Sequence, residues 1–161
     1  MSISSRSTRP EPSPSARRLR VREVPSAYVT APEPGPLVAS PANVRAVVVE
    51  LFSADVDTRE SLYALHLDSR GRLISIEEVA RGAINACSAS VRDVLTAALV
   101  ANCSSIVLCH NHPSGDPSPS ADDVHFTLKL SDFARGFGIE LLDHVIVAAS
   151  GTVSLRERGV L

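Results

Sequence analysis

Apolar and polar positions along this chain follow two different periods, and the switches between them outline its elements. Val44, Val47, Val48 and Leu51 recur at three- and four-residue spacing, one face of a helix. Ser40-Pro41 precedes them as an N-cap followed by a proline at the first helical position. "SLYALHL" (61–67) reads as a strand, "DSRG" as a turn and "RLISIEEV" as its hairpin partner. A second helix is predicted over 90–102, with Val91, Val94, Leu95, Ala98 and Leu99 as its apolar stripe. "SSIVLCH" (104–110) reads as a buried strand. A third helix is predicted over 121–136, with Phe126, Leu130, Phe133, Ala134 and Phe137 facing inward. "IELLDHVIVAA" (139–149) reads as another buried strand, with "GTVSL" as its neighbour. Helices and strands interleave, so the class is α/β or α+β.

The first third of the sequence lacks this periodicity. Residues 1–16 are rich in Ser, Pro and Arg, a composition that cannot bury a core and reads as disordered. Residues 19–25 alternate Arg with apolar residues as an edge strand would, and "PSAYVTAPEPGP" carries four prolines and reads as a linker. The expected division is therefore a basic, Pro-rich arm over 1–36 and a folded domain over 37–161.

Composition narrows the class without choosing the chemistry. Apolar residues make up 44% and charged residues 21% of 161 residues, an ordinary soluble balance. No apolar run approaches the roughly 20 residues of a membrane span, so no membrane partner is expected. Residues 1–25 hold six arginines against Glu11 and Glu23, a surplus of four positive charges. With a chain total of −2, the remainder carries −6; only the arm offers a surface for nucleic acid or an acidic partner. The three cysteines, Cys87, Cys103 and Cys109, form no disulfide framework and point to reduced thiols in a cytoplasmic setting.

The chemistry concentrates in "HNHPSGDPSPSADD" (110–123). Alternation along an extended chain turns His110 and His112 to the same side and Asn111 away. Pro113 and Gly115 turn the chain, Ser120 stands where a helix N-cap belongs, and Asp123 lies one turn in. Ser120-x-x-Asp123 by itself is an ordinary capping start. Joined to two histidines, it brings a carboxylate back towards two imidazoles. Two His and one Asp leave a fourth coordination position free, the catalytic rather than structural pattern for zinc.

This loop resembles the JAMM metal motif of JAB/MPN domains, His-x-His-Pro followed by Ser-x-x-Asp, and more closely the RadC family. The likeness extends through "LHLDSRGRLISIEEVARG", "LLDHVIV" and "SLRERG", over about residues 39–161. It implies a JAB/MPN-like (cytidine-deaminase-like) α/β fold, a curved mixed sheet flanked by helices. It also implies His110, His112 and Asp123 as zinc ligands and Ser120 as a donor to the oxyanion of a tetrahedral intermediate. The family's His-Pro-Arg-Glu at the second helix is here Ser90-Val91-Arg92-Asp93, and the helix-hairpin-helix region that often precedes the domain is not expected in this chain.

A hydrolase of this kind needs a carboxylate to take a proton from water. The candidates are Glu50, Glu60, Glu77 and Glu78; Glu60, which opens the strand 61–67, is the choice, with Glu77 and Glu78 the alternatives. Asp143-His144 reads as a buried structural pair, His66 as a core residue and His125 as a surface residue, and Cys109 should face away from the ligands. The expected activity is zinc-dependent hydrolysis of an amide or isopeptide bond in a peptide or protein substrate. The alternatives are a DNA-repair factor or metal-dependent nuclease, or a binding module that keeps the metal for stability.

Overall fold

The computed structural model describes residues 35–38, 40–53, 59–82 and 89–161. The candidate strand at 19–25 and Cys87 lie outside the described residues. Three helices and five strands follow one another as α1 (Pro41–Ser53), β1 (Ser61–Leu67), β2 (Leu73–Arg81), α2 (Val91–Ala101), β3 (Ser105–His112), α3 (Ala121–Arg135), β4 (Glu140–Ala148) and β5 (Gly151–Ser154). The strands form one mixed sheet in the order β2-β1-β3-β4-β5. Among the described residues only β3 and β4 run parallel, and α3 is the crossover between them.

The sheet sorts its side chains by alternation. On one face Ala64, Ile106, Leu108 and Leu141 pack with Val94, Leu95 and Ala98 of α2 and Leu130 and Ala134 of α3. On the other, Leu65, Leu67, Val107, Cys109 and Val145 pack with Val44 and Val48 of α1. The interior strands β1, β3 and β4 are buried on both faces, which is why they read as continuous apolar runs. The edge strand β2 carries Glu77, Glu78 and Arg81 and is largely exposed. Truncating an interior residue such as Leu108 to Ala would cost about 2–5 kcal/mol. Among the described residues no helix is long and apolar enough to cross a membrane, and Cys103 and Cys109 are free and buried.

Two predicted stripes are corrected. In α3 the buried positions are Asp123, Thr127, Leu130 and Ala134, whereas Phe133 and Phe137 are 54% and 58% exposed. The helix is rotated so that two polar residues turn inward, because their partners lie under its first turns. In α2, Leu99 is 49% exposed and Ala97 is buried in its place. A small side chain lets α2 sit close to its neighbours, and the larger Leu is left outside.

Candidate metal centre

The centre forms where β3 ends and α3 begins, at the carboxyl end of the parallel pair β3 and β4. β3 runs on through His112, two residues past the predicted end, because the ladder with β4 continues to His112↔Ala148. His110 and His112 therefore stay on an extended backbone and share a side. The chain then turns at Gly115, whose φ of +86° is left-handed and would strain any larger residue. Gly115 N–H donates to His112 O at 3.1 Å, and Gly115 O accepts from Ser150 N–H and Oγ at 3.2 and 2.7 Å. The loop is thus tied down at both ends.

Asp123 is held by a complete capping box. Ser120 Oγ accepts from Asp123 N–H at 3.1 Å, and Asp123 Oδ2 accepts from Ser120 N–H at 2.7 Å and from Ser120 Oγ at 2.6 Å. Its carboxylate meets both rings: Oδ1 is 3.4 Å from His110 Nε2 and Oδ2 is 3.7 Å from His112 Nε2. The two Nε2 atoms are 2.9 Å apart. One ligand atom from each of the three residues lies within 4.8 Å of the others, a cluster that can hold a metal ion.

The protonation of the rings suits that use. His112 Nδ1 lies 2.8 Å from Asp116 O. A carbonyl only accepts, so Nδ1 carries a proton and donates it there, and Nε2 faces the centre. Burial pulls His110 down to about 4, with His112 adding to the effect and Asp123 opposing it, so at neutral pH its ring is uncharged. A buried carboxylate and two imidazole Nε2 atoms converge on one point, and this donor set fits a divalent ion. Behind His110 lies His144, its Nε2 2.8 Å from His110 Nδ1, and behind that Thr127. Burial also holds His144 well below its ordinary value.

Two cavities flank the triad. One, of about 350 Å³, is polar and is lined by Glu60, His112, Asp116, Ser120 and Asp123 among others. The other, of about 250 Å³, has Leu62, Val91 and Phe126 in its walls beside His110, Asp123 and His144, with Lys129 also lining it. Of the four upstream glutamates, only Glu60 lines the first cavity. Glu78 is bound to Arg81 at 2.6 Å, and Glu77 stands across from Ala64 on the edge strand. Glu50 is exposed on α1, the helix packed on the opposite face.

Glu60 is held at the wall of that cavity by a contact that alternation alone would not suggest. The β1–β3 ladder ends at Leu62↔His110. One step on, the side chain of Asn111 replaces the backbone: Oδ1 accepts from Ser61 N–H at 2.7 Å and Nδ2 donates to Arg59 O at 3.0 Å. Glu60 lies between these two bonds, and its own carbonyl accepts from Gly82 N–H at 2.8 Å. Asn111 does face away from the ligands, as expected, but it clamps the backbone on either side of Glu60.

The remaining polar residues separate cleanly. Asp143 and His144 are both buried, yet their side chains go to opposite faces of the sheet. Asp143 accepts from Ser154 Oγ at 2.7 Å and from Arg156 N–H at 3.1 Å, while His144 sits behind His110. His66 is buried and lies 2.9 Å from Ser75 Oγ through Nδ1, and burial lowers its pKa. His125 is exposed and lines the second cavity. Cys109 pairs opposite Tyr63 on the α1 face, and full burial pushes its thiol far up, out of reach of ionisation. Asp122 is exposed and outside the cluster. His144, Thr127 and Asn111 are the site residues that sequence reasoning did not use. Thr127 lies one turn after Asp123, a spacing that could have flagged it; His144 depends on strand register and could not.

A mixed five-stranded sheet flanked by three helices, with a His-His-Asp cluster at the β3–α3 junction, is a JAB/MPN-like domain. The family model of the RadC-like JAB domain matches residues 38–160, and the chain belongs to that family. Among its relatives, a UPF0758 protein of Clostridium perfringens is 35% identical over 124 residues, 77% of this chain and 54% of the relative. One of Clostridium novyi is 38% identical over 125 residues, 78% and 54% of the two chains. One of Desulfitobacterium hafniense is 36% identical over 126 residues, 78% and 55%. The chain spans about half the length of these relatives.

Proposed function

We propose that this domain is a zinc-dependent hydrolase that cleaves an amide or isopeptide bond in a peptide or protein. The observation that carries the reading is the convergence of His110, His112 and Asp123 within 4.8 Å, beside a cavity that also holds Glu60. Zinc would be held by His110 Nε2, His112 Nε2 and the Asp123 carboxylate, and would supply Lewis acidity and an acidified water.

The chain's own groups do the rest. Glu60 takes the proton of the attacking water and returns it to the leaving amine. Asn111 keeps Glu60 at the cavity wall. Ser120 has one hydroxyl proton, which in this structure goes to Asp123 Oδ2. It therefore orients the carboxylate ligand first, and donates to the substrate oxyanion when that proton turns outward. Leu62, Val91 and Phe126 offer an apolar wall beside the cleaved bond, suited to an apolar side chain of the substrate. A cytoplasmic setting accords with the free cysteines. No described feature favours a nuclease, since the chain beyond residue 25 carries −6.

The test is metal analysis of the purified protein, followed by a peptide-library cleavage assay on wild type and His112→Ala. The expected result is about one zinc per chain and metal-dependent cleavage, both lost in the variant. Stoichiometric zinc in His112→Ala would overturn the ligand assignment.

A further inference from the structure

Three side chains behind the centre form a line in which every hydrogen can be placed by counting. Thr127 Oγ1 donates to Asp123 O at 2.6 Å, and that carbonyl can only accept. The hydroxyl has one proton, so its second contact, with His144 Nδ1 at 2.6 Å, must be a bond that it accepts. His144 therefore carries its proton on Nδ1. A neutral His144 then has a bare Nε2, which can only accept the proton of His110 Nδ1 across 2.8 Å. That leaves His110 Nε2 bare, facing His112 Nε2 and Asp123 Oδ1. The reverse direction, His144 donating to His110, would need His144 doubly protonated, a cation in a site that is 1% exposed.

We infer that Thr127 and His144 are positioning residues that lock His110 in its Nδ1–H tautomer and so present a lone pair to the metal centre. The line begins and ends at the same ligand set. Thr127 sits one helical turn after Asp123 and anchors on its carbonyl, so the orientation of one ligand's backbone dictates the tautomer of another's ring. The parallel register Leu108↔His144 brings the relay ring onto the face that carries His110. A polar residue at either position is otherwise out of place: both are buried to 1% exposure or less on a face packed by α2 and α3. Partners that hold the far nitrogen of a ligating histidine characteristically set its ring orientation and metal affinity. The inference rests on the reading of His110 as a ligand, but the tautomer is a property of the metal-free protein and can be read there.

The experiment is long-range ¹H–¹⁵N imidazole spectroscopy of the metal-free full chain at pH 7.5, with zinc affinity measured by chelator competition. Wild type should show His110 and His144 as single Nδ1–H tautomers. Thr127→Val keeps the shape and removes the hydroxyl. It should release His144 into mixed tautomers and weaken zinc binding by about 10–100-fold, the range for losing such a partner. Thr127→Ser should restore both. A His144 protonated on Nε2 in wild type would overturn the inference without any variant. So would a Thr127→Val protein with wild-type tautomers and zinc affinity within twofold. If wild type binds no zinc while its tautomers are as described, the hydrolase reading fails and the relay stands.

Discussion

Two helices of this domain open on the same four-residue pattern and do different things. At α2, Ser90 Oγ accepts from Asp93 N–H at 3.1 Å and donates to Asp93 Oδ2 at 2.6 Å. At α3, Ser120 and Asp123 repeat both contacts at the same distances, and Ser120 N–H adds a third to Asp123 Oδ2. Yet Ser90 and Asp93 are exposed, while Asp123 is 6% exposed and faces two imidazoles. The Ser-x-x-Asp pattern is a local device for satisfying helix N–H groups wherever it stands. What makes one copy a ligand set is β3, which delivers His110 and His112 to the start of α3.

The sharpest way to break that contrast is to remove the two aspartates in turn. Asp123→Ala should abolish stoichiometric zinc, and Asp93→Ala should leave about one zinc per chain, measured by metal analysis of the purified proteins. Equal zinc in both would mean that the α3 copy is only a cap.

Next in size is the separation of binding from catalysis. Glu60→Gln should retain zinc and lower turnover by about 10²–10⁴-fold, the typical contribution of a positioned general base. Glu77→Gln, on the edge strand, should change turnover little. Loss of turnover in Glu77→Gln with wild-type rates in Glu60→Gln would move the proton carrier to β2.

The fold also buries three histidines, two of them at the centre on β3 and β4 and one on β1. Burial lowers the folded-state pKa of His110, His144 and His66 below the ordinary 6.5. A depressed folded pKa means that the unfolded chain binds the proton first. The metal-free protein therefore has its full stability above about pH 6.5 and loses it as pH falls towards the folded values. For a group such as His110, near 4 in the fold, the loss between pH 7 and pH 5 is about 2 kcal/mol. Denaturant unfolding at the two pH values measures it, and an unchanged midpoint would mean that these rings are not buried neutral.

The smallest effect belongs to the α2 cap, whose Ser90 lines the apolar cavity but stands outside the ligand cluster. Ser90→Ala should cost about 1 kcal/mol of stability and no zinc, read from chemical unfolding and metal analysis of the same preparation. A change in zinc content there would tie the α2 cap to the centre after all.

Much of the fold was legible because its elements are long and strongly periodic. The bounds read for the five strands and for α2 and α3 agree with the structure within two residues, α1 starts where its N-cap reads, and the apolar stretches of β1, β3 and β4 mark the interior of the sheet. The errors share a cause. Phe133 and Phe137 read as inward-facing by hydrophobicity, but a helix turns whichever face its surroundings reward. Here the reward was polar: Asp123 and Thr127 have partners inside, on β3 and β4. A stripe counted only from apolar residues cannot find such a rotation.

The sequence by itself determined the parts of the centre that short-range geometry controls. A strand's period of two puts His110 and His112 on one side and Cys109 and Asn111 on the other, and a capping serine fixes a carboxylate three residues on. Only the tertiary structure decided what joins them. Asn111 reaches across the sheet to Arg59 and Ser61, 52 and 50 positions earlier, which brings in Glu60 between them. The parallel register of β3 and β4 sets His144 behind His110, 34 positions apart. These contacts depend on which strands pair and in what register, and pairing is settled by burying two faces of a sheet at once, an interaction of the whole chain that no local spacing encodes.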